Sequence, residues 1–510
     1  MSETDPDDLA VKPDPPCAAS DEPPPPAAAS SSAAPSSALP PAPVATAHPR
    51  GLGLLVGLVF GMAVLDALDR WQFLALLPRI ARELALPPDE ASWLVTASLL
   101  GYAIAAVMIG WFVDRLHRPR LLAAGFAVWA LATAGVGLAS SYQGLEAARF
   151  LTGVGGACFT VAALTMLMDA FAARVRGRVL ALFFLALPLG ALLATTLGSS
   201  LAGATGWQEA FVVLAAPGLV LAMAAILVRD PIRGESEGID PRRLARHQEA
   251  GPSQEDYIDL MVNSSYTYSV FGLAFATFAI AGLLAWAPAF LTVAKGVSGE
   301  RAARWLGLVL LSSSTVGIAV GGLLVERFTL RCTPRLFWIP GLAMFGAAAA
   351  VLTAIESRSP VLVLGSIWVA QTLAYFDLVP CFAILAQVVT PTMRGVGAGV
   401  ALAAARLVGD LWGPGLVGYL VEMFSDRDAM ATIFGRLLAA LGATPVAPPG
   451  LDPQNVSAGL LVVVPALVIA GIVLLSGVRH LRREIALMAA KLRAAPRPSA
   501  HSRKAAPRKG

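Results

Sequence analysis

Charge is what this 510-residue chain has least of: 14% of its residues are Asp, Glu, Lys or Arg, against 56% hydrophobic, with a mean hydropathy of +0.68. Water-soluble domains carry about 25% charged residues, so a shortage of this size excludes a chain whose whole surface meets water. Lysine is rare, and none of the five lysines follows a glycine. A Walker A loop and ATP coupling are thereby excluded. No GxSxG elbow and no HExxH pair is present, which leaves a lipid hydrolase or acyltransferase without its nucleophile or metal motif. The five histidines (His48, His117, His247, His480 and His501) all fall in loops or tails. No metal site, cofactor or histidine proton relay is expected inside the helices, and buried proton chemistry falls to carboxylates. Of the four cysteines, Cys17 lies in a polar tail, Cys158 and Cys381 in helical runs and Cys332 in a loop, with no CxxC pair and no disulfide framework.

What is present is a series of apolar runs roughly 20 to 28 residues long, far beyond the ~10-residue alternating segments of a barrel. In lipid the backbone must satisfy its own polar groups, so the fold class is an all-α membrane protein. The runs predict twelve spans, near 52–77, 91–113, 120–139, 143–170, 178–203, 209–228, 266–293, 303–326, 334–355, 361–389, 395–423 and 457–478. Residues 1–50 are rich in Pro, Ala and Ser, with Glu3, Asp5, Asp7 and Asp8 at the start. Without a basic segment leading into an apolar one they are expected to be a disordered cytoplasmic tail rather than a signal peptide. An N-terminal six-helix bundle (51–228), a cytoplasmic linker (229–264), a C-terminal six-helix bundle (265–478) and a basic, solvated tail (479–510) complete the expected order.

The net charge of +4 is distributed as membrane orientation requires, not as a nucleic-acid surface. Arg115, Arg118 and Arg120 follow helix 2, Arg174, Arg176 and Arg178 follow helix 4, and Arg479, Arg482, Arg483 and Lys491 lie in the tail. Both termini are therefore expected in the cytoplasm of a multi-pass, bacterial inner-membrane protein. The halves also repeat: Gly110-xxx-Asp114-Arg115 ends helix 2 and Gly322-xxx-Glu326-Arg327 ends helix 8. Two such tetrads at equivalent places indicate a parallel internal repeat.

GWFVDRLHRPR (Gly110, Asp114, Arg115, Arg118) resembles the loop 2–3 signature of the major facilitator superfamily, with His117 at a usual glycine, and RFLTGVGGA (149–157) resembles its helix-4 motif. Within that superfamily the chain is similar to the spinster family of lysophospholipid and sphingosine-phosphate transporters. LDALDR (65–70) resembles its helix-1 N-x-x-D-R, ALPLG (186–190) its helix-5 IPVG, residues 264–288 its entry to helix 7, and LVGDLWGP (407–414) its LLGDAGSP. The resemblance implies the major facilitator fold and alternating access. Gly156 stands where the family's GVGEA has its carboxylate, Gln371 at its helix-10 Glu, Asp377 at its nearby Asn, Arg406 at its helix-11 His and Asp66 at the Asn of the helix-1 motif. Substrate and ion coupling do not transfer directly.

Charges at bilayer depth face a cavity or a partner. Helix 1 carries Asp66, Asp69 and Arg70, helix 4 Arg149, helix 10 Asp377, and helix 11 Arg406 and Asp410. At 1.5 Å per residue Asp69 lies ~25 Å along helix 1 while Arg149 lies ~9 Å into helix 4 from the other side. That puts them at similar depth and predicts a pair. Asp66 with Arg70 and Arg406 with Asp410 are spaced to pair along their helices. These residues read either as a proton-responsive carboxylate beside a cation for an anionic headgroup, or as permanent ion pairs that lock helices. Asp377 has no partner nearby in sequence. Trp286, Tyr375, Phe376 and Trp412 either line an amphiphile cavity or pack. Gly110, Asp114, Arg115, Arg118, Glu326 and Arg327, on family resemblance, form a cytoplasmic gate, and Arg176 and Arg178 either join it or only orient the chain. The expected function is secondary transport of an amphiphilic anionic lipid such as a lysophospholipid, coupled to protons. A drug or metabolite exporter and a non-transporting membrane sensor are the alternatives.

Overall fold

The computed structural model describes residues 49–237, 252–329, 333–423, 436 and 453–493. Most of both predicted tails, part of the linker, and Cys17 and Cys332 lie outside that set. Among the described residues all regular structure is helical. Twelve helices among these residues are long and apolar enough to cross a membrane: α1 Gly51–Glu83, α2 Pro88–Val113, α3 Arg118–Leu138, α4 Tyr142–Ala170, α5 Ala173–Thr205, α6 Trp207–Ala225, α7 Ser264–Ala294, α8 Gly299–Phe328, α9 Arg335–Glu356, α10 Pro360–Val388, α11 Pro391–Met423 and α12 Pro453–Gly477. They correspond one for one with the apolar runs.

Local chemistry sets their ends. Pro88 and Pro360 open α2 and α10, where the missing N–H is an orphan anyway. Ser141 Oγ accepts from Gly144 N at 3.2 Å to cap α4, and Asn263 Oδ1 accepts from Tyr266 N at 2.8 Å to cap α7. Helix α1 outruns its predicted end at 77. Pro78 lies inside it, and the turn beyond is held by Arg79, which donates to Glu83 at 2.8 Å and to Ala202 O of α5 at 2.9 Å.

In the first half, α4 packs between α2 and α3. Gly155 makes that approach possible, since a Cβ there would lie 2.7 Å from Gly125 O. In the second half, α12 packs on α7 and α9, and α10 on α8 and α9. The halves meet through α2 against α11 and α5 against α8 and α10. These seams run along the ends nearest the arginine-rich loops, here called the basic side. Both repeat glycines lie on them: a Cβ on Gly110 would stand 2.5 Å from Gly395 O, and Gly322 faces Gly177, whose own Cβ would stand 2.6 Å from Gly322 O. The glycines of the two tetrads thus each permit one close crossing between the halves.

One expectation is corrected. Residues 481–493 are not a solvated tail but a helix, Leu481–Arg493, with Leu481, Met488 and Leu492 buried. Lys491 Nζ donates to Asp256 Oδ1 at 2.5 Å and Asp259 Oδ2 at 2.8 Å on the linker helix Gln254–Val262. Glu484 accepts from the N–H groups of Ser264 and Ser265, both at 2.8 Å, and so caps α7. Apolar residues at this helical spacing have a face to bury, which outweighs the arginines on the other.

Candidate functional site

The predicted pair of α1 and α4 is formed. Arg149 Nη1 donates to Asp69 Oδ2 at 3.1 Å, and both side chains are almost wholly buried. The other Nη donates to Ser98 Oγ at 3.3 Å, and the guanidinium lies 4.0 Å from the Phe73 ring centroid. Thr133 Oγ1 donates to Asp69 Oδ1 at 3.4 Å. One turn away Arg70 donates to Asp66, with both partly exposed. Asp66 Oδ1 lies 2.8 Å from where a Cβ on Gly156 would stand. The space that a carboxylate on α4 would take in the helix-4 pattern is here filled by a carboxylate from α1.

Arg406 reaches the same place from the other half. It pairs with Asp410, and its guanidinium lies 4.7 Å from the Tyr102 ring centroid. Residues 405–411 wind as π-helix, a local widening that often marks functional sites. Asp66, Asp69, Arg70, Tyr102, Arg149 and Arg406 line one small pocket. Tyr375 lies within electrostatic reach of Asp410, Arg406 and Arg70. None of the four predicted aromatics, Tyr375 included, forms its wall. Trp286 Nε1 ties α7 to Pro414 O of α11 at 3.0 Å, Phe376 is packed in the core, and Trp412 is 62% exposed. Asp377 is buried in α10 away from the pocket wall.

The basic side is closed by buried charge. Asp114, at the end of α2, accepts from Gly395 N at 2.7 Å and Val396 N at 2.9 Å, the free N–H groups opening α11. Arg178 of α5 donates to Glu326 of α8 at 2.5 Å, the second tie between halves. Arg118 is buried against Asp169 at 2.5 Å and Asp230 at 2.8 Å. Arg176 donates to Glu237 at 3.0 Å. Arg115 takes no part in an inter-half latch: it lies exposed over Trp111 and donates to Tyr257 Oη at 2.8 Å. Arg327 is exposed, with no ion pair among the described residues.

Sequence reasoning missed the centre of this network. Arg394, at the start of α11, donates to Asp169 of α4 at 2.5 Å, to Glu237 of the linker at 2.6 Å and to Ala386 O. Arg394 and Asp169 are fully buried. Linker residues 230–237 are strapped beneath the first half by Arg233, which donates to Val113 O and Leu116 O at 2.8 and 2.9 Å, and by Gly234 N, which donates to Asp169 at 3.1 Å. Burial alone would raise the Glu237 carboxyl, but Arg394 and Arg176 hold it below its ordinary range.

Asp114 makes the closure sensitive to pH. Burial, outweighing the N–H groups of Val396 and Gly395, pushes its carboxyl up to about 7, from about 3.9 in solvent. The closed state holds this proton more tightly than an open one, so the contribution to closure is complete in acid and lost as pH rises through 7. The closed fraction, read from spin-label distances across the basic side, is expected to fall between about pH 4 and 7, where the open state has released the proton and the closed state still holds it, and to level off above. Asp114→Asn is expected to lower that slope by one proton, and an unchanged slope would exclude Asp114 as its source.

Comparison with known proteins fits this architecture. Residues 59–414 match the Major Facilitator Superfamily. The chain belongs to that superfamily. Within this superfamily it is similar to Protein spinster of Drosophila melanogaster, 25% identical over 401 residues, which are 75% of this chain and 65% of that protein. The chain thus spans slightly less than two thirds of the fly protein. It is also 27% identical over 398 residues to human Protein spinster homolog 1, 73% of each chain. Among solved structures, a bacterial homologue of the human lysosomal transporter spinster, inward-facing and unoccupied, superposes with a TM-score of 0.59 at 21% identity, covering 86% of this chain and 99% of that one. The proton:xylose symporter XylE superposes with a TM-score of 0.64 at 15% identity, covering 83% and 95%. The chain thus has the major facilitator fold and is similar in sequence to the spinster proteins, an architecture consistent with alternating access.

Proposed function

We propose that this protein is a secondary transporter of an amphiphilic anionic lipid, such as a lysophospholipid, that works by alternating access and is coupled to protons. The observation that carries the reading is the shared pocket, where Arg70 of the first half and Arg406 of the second face one space beside the buried Asp69–Arg149 pair. An anionic headgroup bridging the two arginines draws on both halves at once, so its binding energy differs between the states of the rocking motion, as a coupled ligand requires. Each arginine already has a carboxylate partner, Asp66 or Asp410, so the headgroup competes with an acid that can be neutralised by a proton. Protonation of Asp69 frees Arg149 for the substrate, and substrate on the arginine favours proton release. The basic side faces the cytoplasm of the bacterial inner membrane, in keeping with the loop arginines.

Transport of a fluorescent lysophospholipid into proteoliposomes tests the reading, with Arg70→Leu and Arg406→Leu beside wild type. A hydrogen bond to a charged group contributes about 1.5–3 kcal/mol, so each variant is expected to lose about tenfold or more in kcat/KM for the anionic lipid. An uncharged amphiphile is expected to show no such loss. Equal losses for both would place the arginines in the scaffold. Absence of flux above empty liposomes from folded protein would remove the lipid assignment.

A further inference from the structure

The acids of the pocket region, Asp66, Asp69 and Asp410, each face an arginine. Asp377 does not. Its side chain is 1% exposed, and neither carboxyl oxygen has a hydrogen-bond partner among the described residues. It sits at the joint of α10, between the straight segments Pro360–Tyr375 and Leu378–Val388. Helix α8 closes on this joint through glycines: a Cβ on Gly317 would lie 2.5 Å from Thr372 O, and one on Gly321 2.6 Å from Phe376 O. The segment beyond the joint also packs on α5 of the other half, with Phe382 and Phe184 rings 5.3 Å apart.

The titratable surroundings are sparse. On α10 the Cys381 thiol lies one turn on and donates to Ser269 O of α7 at 3.4 Å. Tyr266 of α7 donates its hydroxyl to Gly397 O at 2.9 Å. Ser313 and Ser314 of α8 bond to carbonyls of their own helix. Among the described residues no charged side chain of α5, α7, α8, α9 or the C-terminal helix acts on the carboxyl. An ionised carboxylate with neither cation nor donor at bilayer depth costs several kcal/mol, whereas the neutral acid avoids the charge penalty.

We propose that Asp377 is a proton-binding site of the C-terminal half, distinct from the Asp69–Arg149 pair, loaded while the basic side is closed and emptied when α10 parts from α5. The step is the simple dissociation of a carboxylic acid: the O–H bond breaks, the carboxylate keeps the electron pair, and the proton passes to water admitted from the basic side. Its use in coupling rests on the transport reading, but occupancy of the site does not.

Difference infrared spectroscopy of the purified full-length protein in lipid tests it, because a protonated carboxyl has its own C=O stretch. At neutral pH a component of that band is expected in wild type, lost in Asp377→Asn and kept in both Asp69→Asn and Asp114→Asn. Asparagine matches the neutral acid in shape, so the variant keeps the packing. Opening the basic side by Arg394→Ala is expected to remove the same component. A spectrum unchanged by Asp377→Asn would overturn the site, and a component that survives opening would overturn its release. Lysophospholipid flux on the same samples separates the two ideas. Loss of the component without any flux in wild type leaves the proton site and sinks the transport reading, and flux with an unchanged band does the reverse.

Discussion

Arg394→Ala is expected to open the basic side. Among the described residues Arg394 is the one side chain of the second half that donates to both Asp169 and Glu237, and it does so with no exposure to water. Removing one partner of a buried ion pair typically costs about 3–5 kcal/mol, because the charge left behind stays desolvated. That cost falls on the closed state alone, since an open basic side wets Asp169 and Glu237. At about 1.4 kcal/mol per factor of ten, the closed-to-open ratio is expected to drop by roughly a hundredfold or more. Arg118 and Arg176 still touch the two acids, which sets the lower end of that range. Spin labels on the exposed positions 120 and 327 read the result directly, as a shift of the population to longer distances. An unaltered distance distribution would mean that Asp114 and the Arg178–Glu326 pair suffice to hold the closure.

Arg149→Ala is expected to abolish gradient-driven transport, a fall of about a hundredfold or more. The variant strands Asp69, which is 3% exposed and, among the described residues, keeps only the Thr133 hydroxyl at 3.4 Å as a hydrogen-bond partner. A carboxylate so placed holds its proton instead of exchanging it, at the energetic scale of a broken buried pair, about 3–5 kcal/mol. The double variant Asp69→Asn/Arg149→Ala removes the lone charge as well. It is expected to be thermally more stable than Arg149→Ala while remaining uncoupled, a pattern that separates lost function from lost folding. If Arg149→Ala still concentrates substrate under a proton gradient, the pair is a permanent brace between α1 and α4.

The twelve spans were legible because each depends on a long local run of apolar residues, and lipid leaves the backbone no alternative to helix. The Asp69–Arg149 pair was legible for a similar reason: rise per residue converts chain position into depth. Sequence spacing also located Asp66 with Arg70 and Arg406 with Asp410, though nothing in LVGD announces the π-helical turn at 405–411. The Arg394–Asp169–Glu237 network was hidden. Its members come from three separate segments, and each alone reads as an ordinary charge near a helix end. Arg115 misled in the opposite sense, since its place in the signature suggested a latch while the helix turns it outward onto Trp111. The C-terminal helix was readable, as Leu481, Ile485, Met488 and Leu492 recur at helical spacing. Its arginines drew attention to charge instead.

The central claim is proton-coupled movement of an anionic lipid through the pocket beside Asp69. Its most direct test is fluorescent lysophospholipid flux in proteoliposomes with and without an imposed pH gradient, comparing wild type with Asp69→Asn. The account predicts that the gradient accelerates flux in wild type and has no effect in the variant, which retains at most downhill movement. Flux that responds equally to the gradient in both proteins would contradict the assignment of coupling to Asp69.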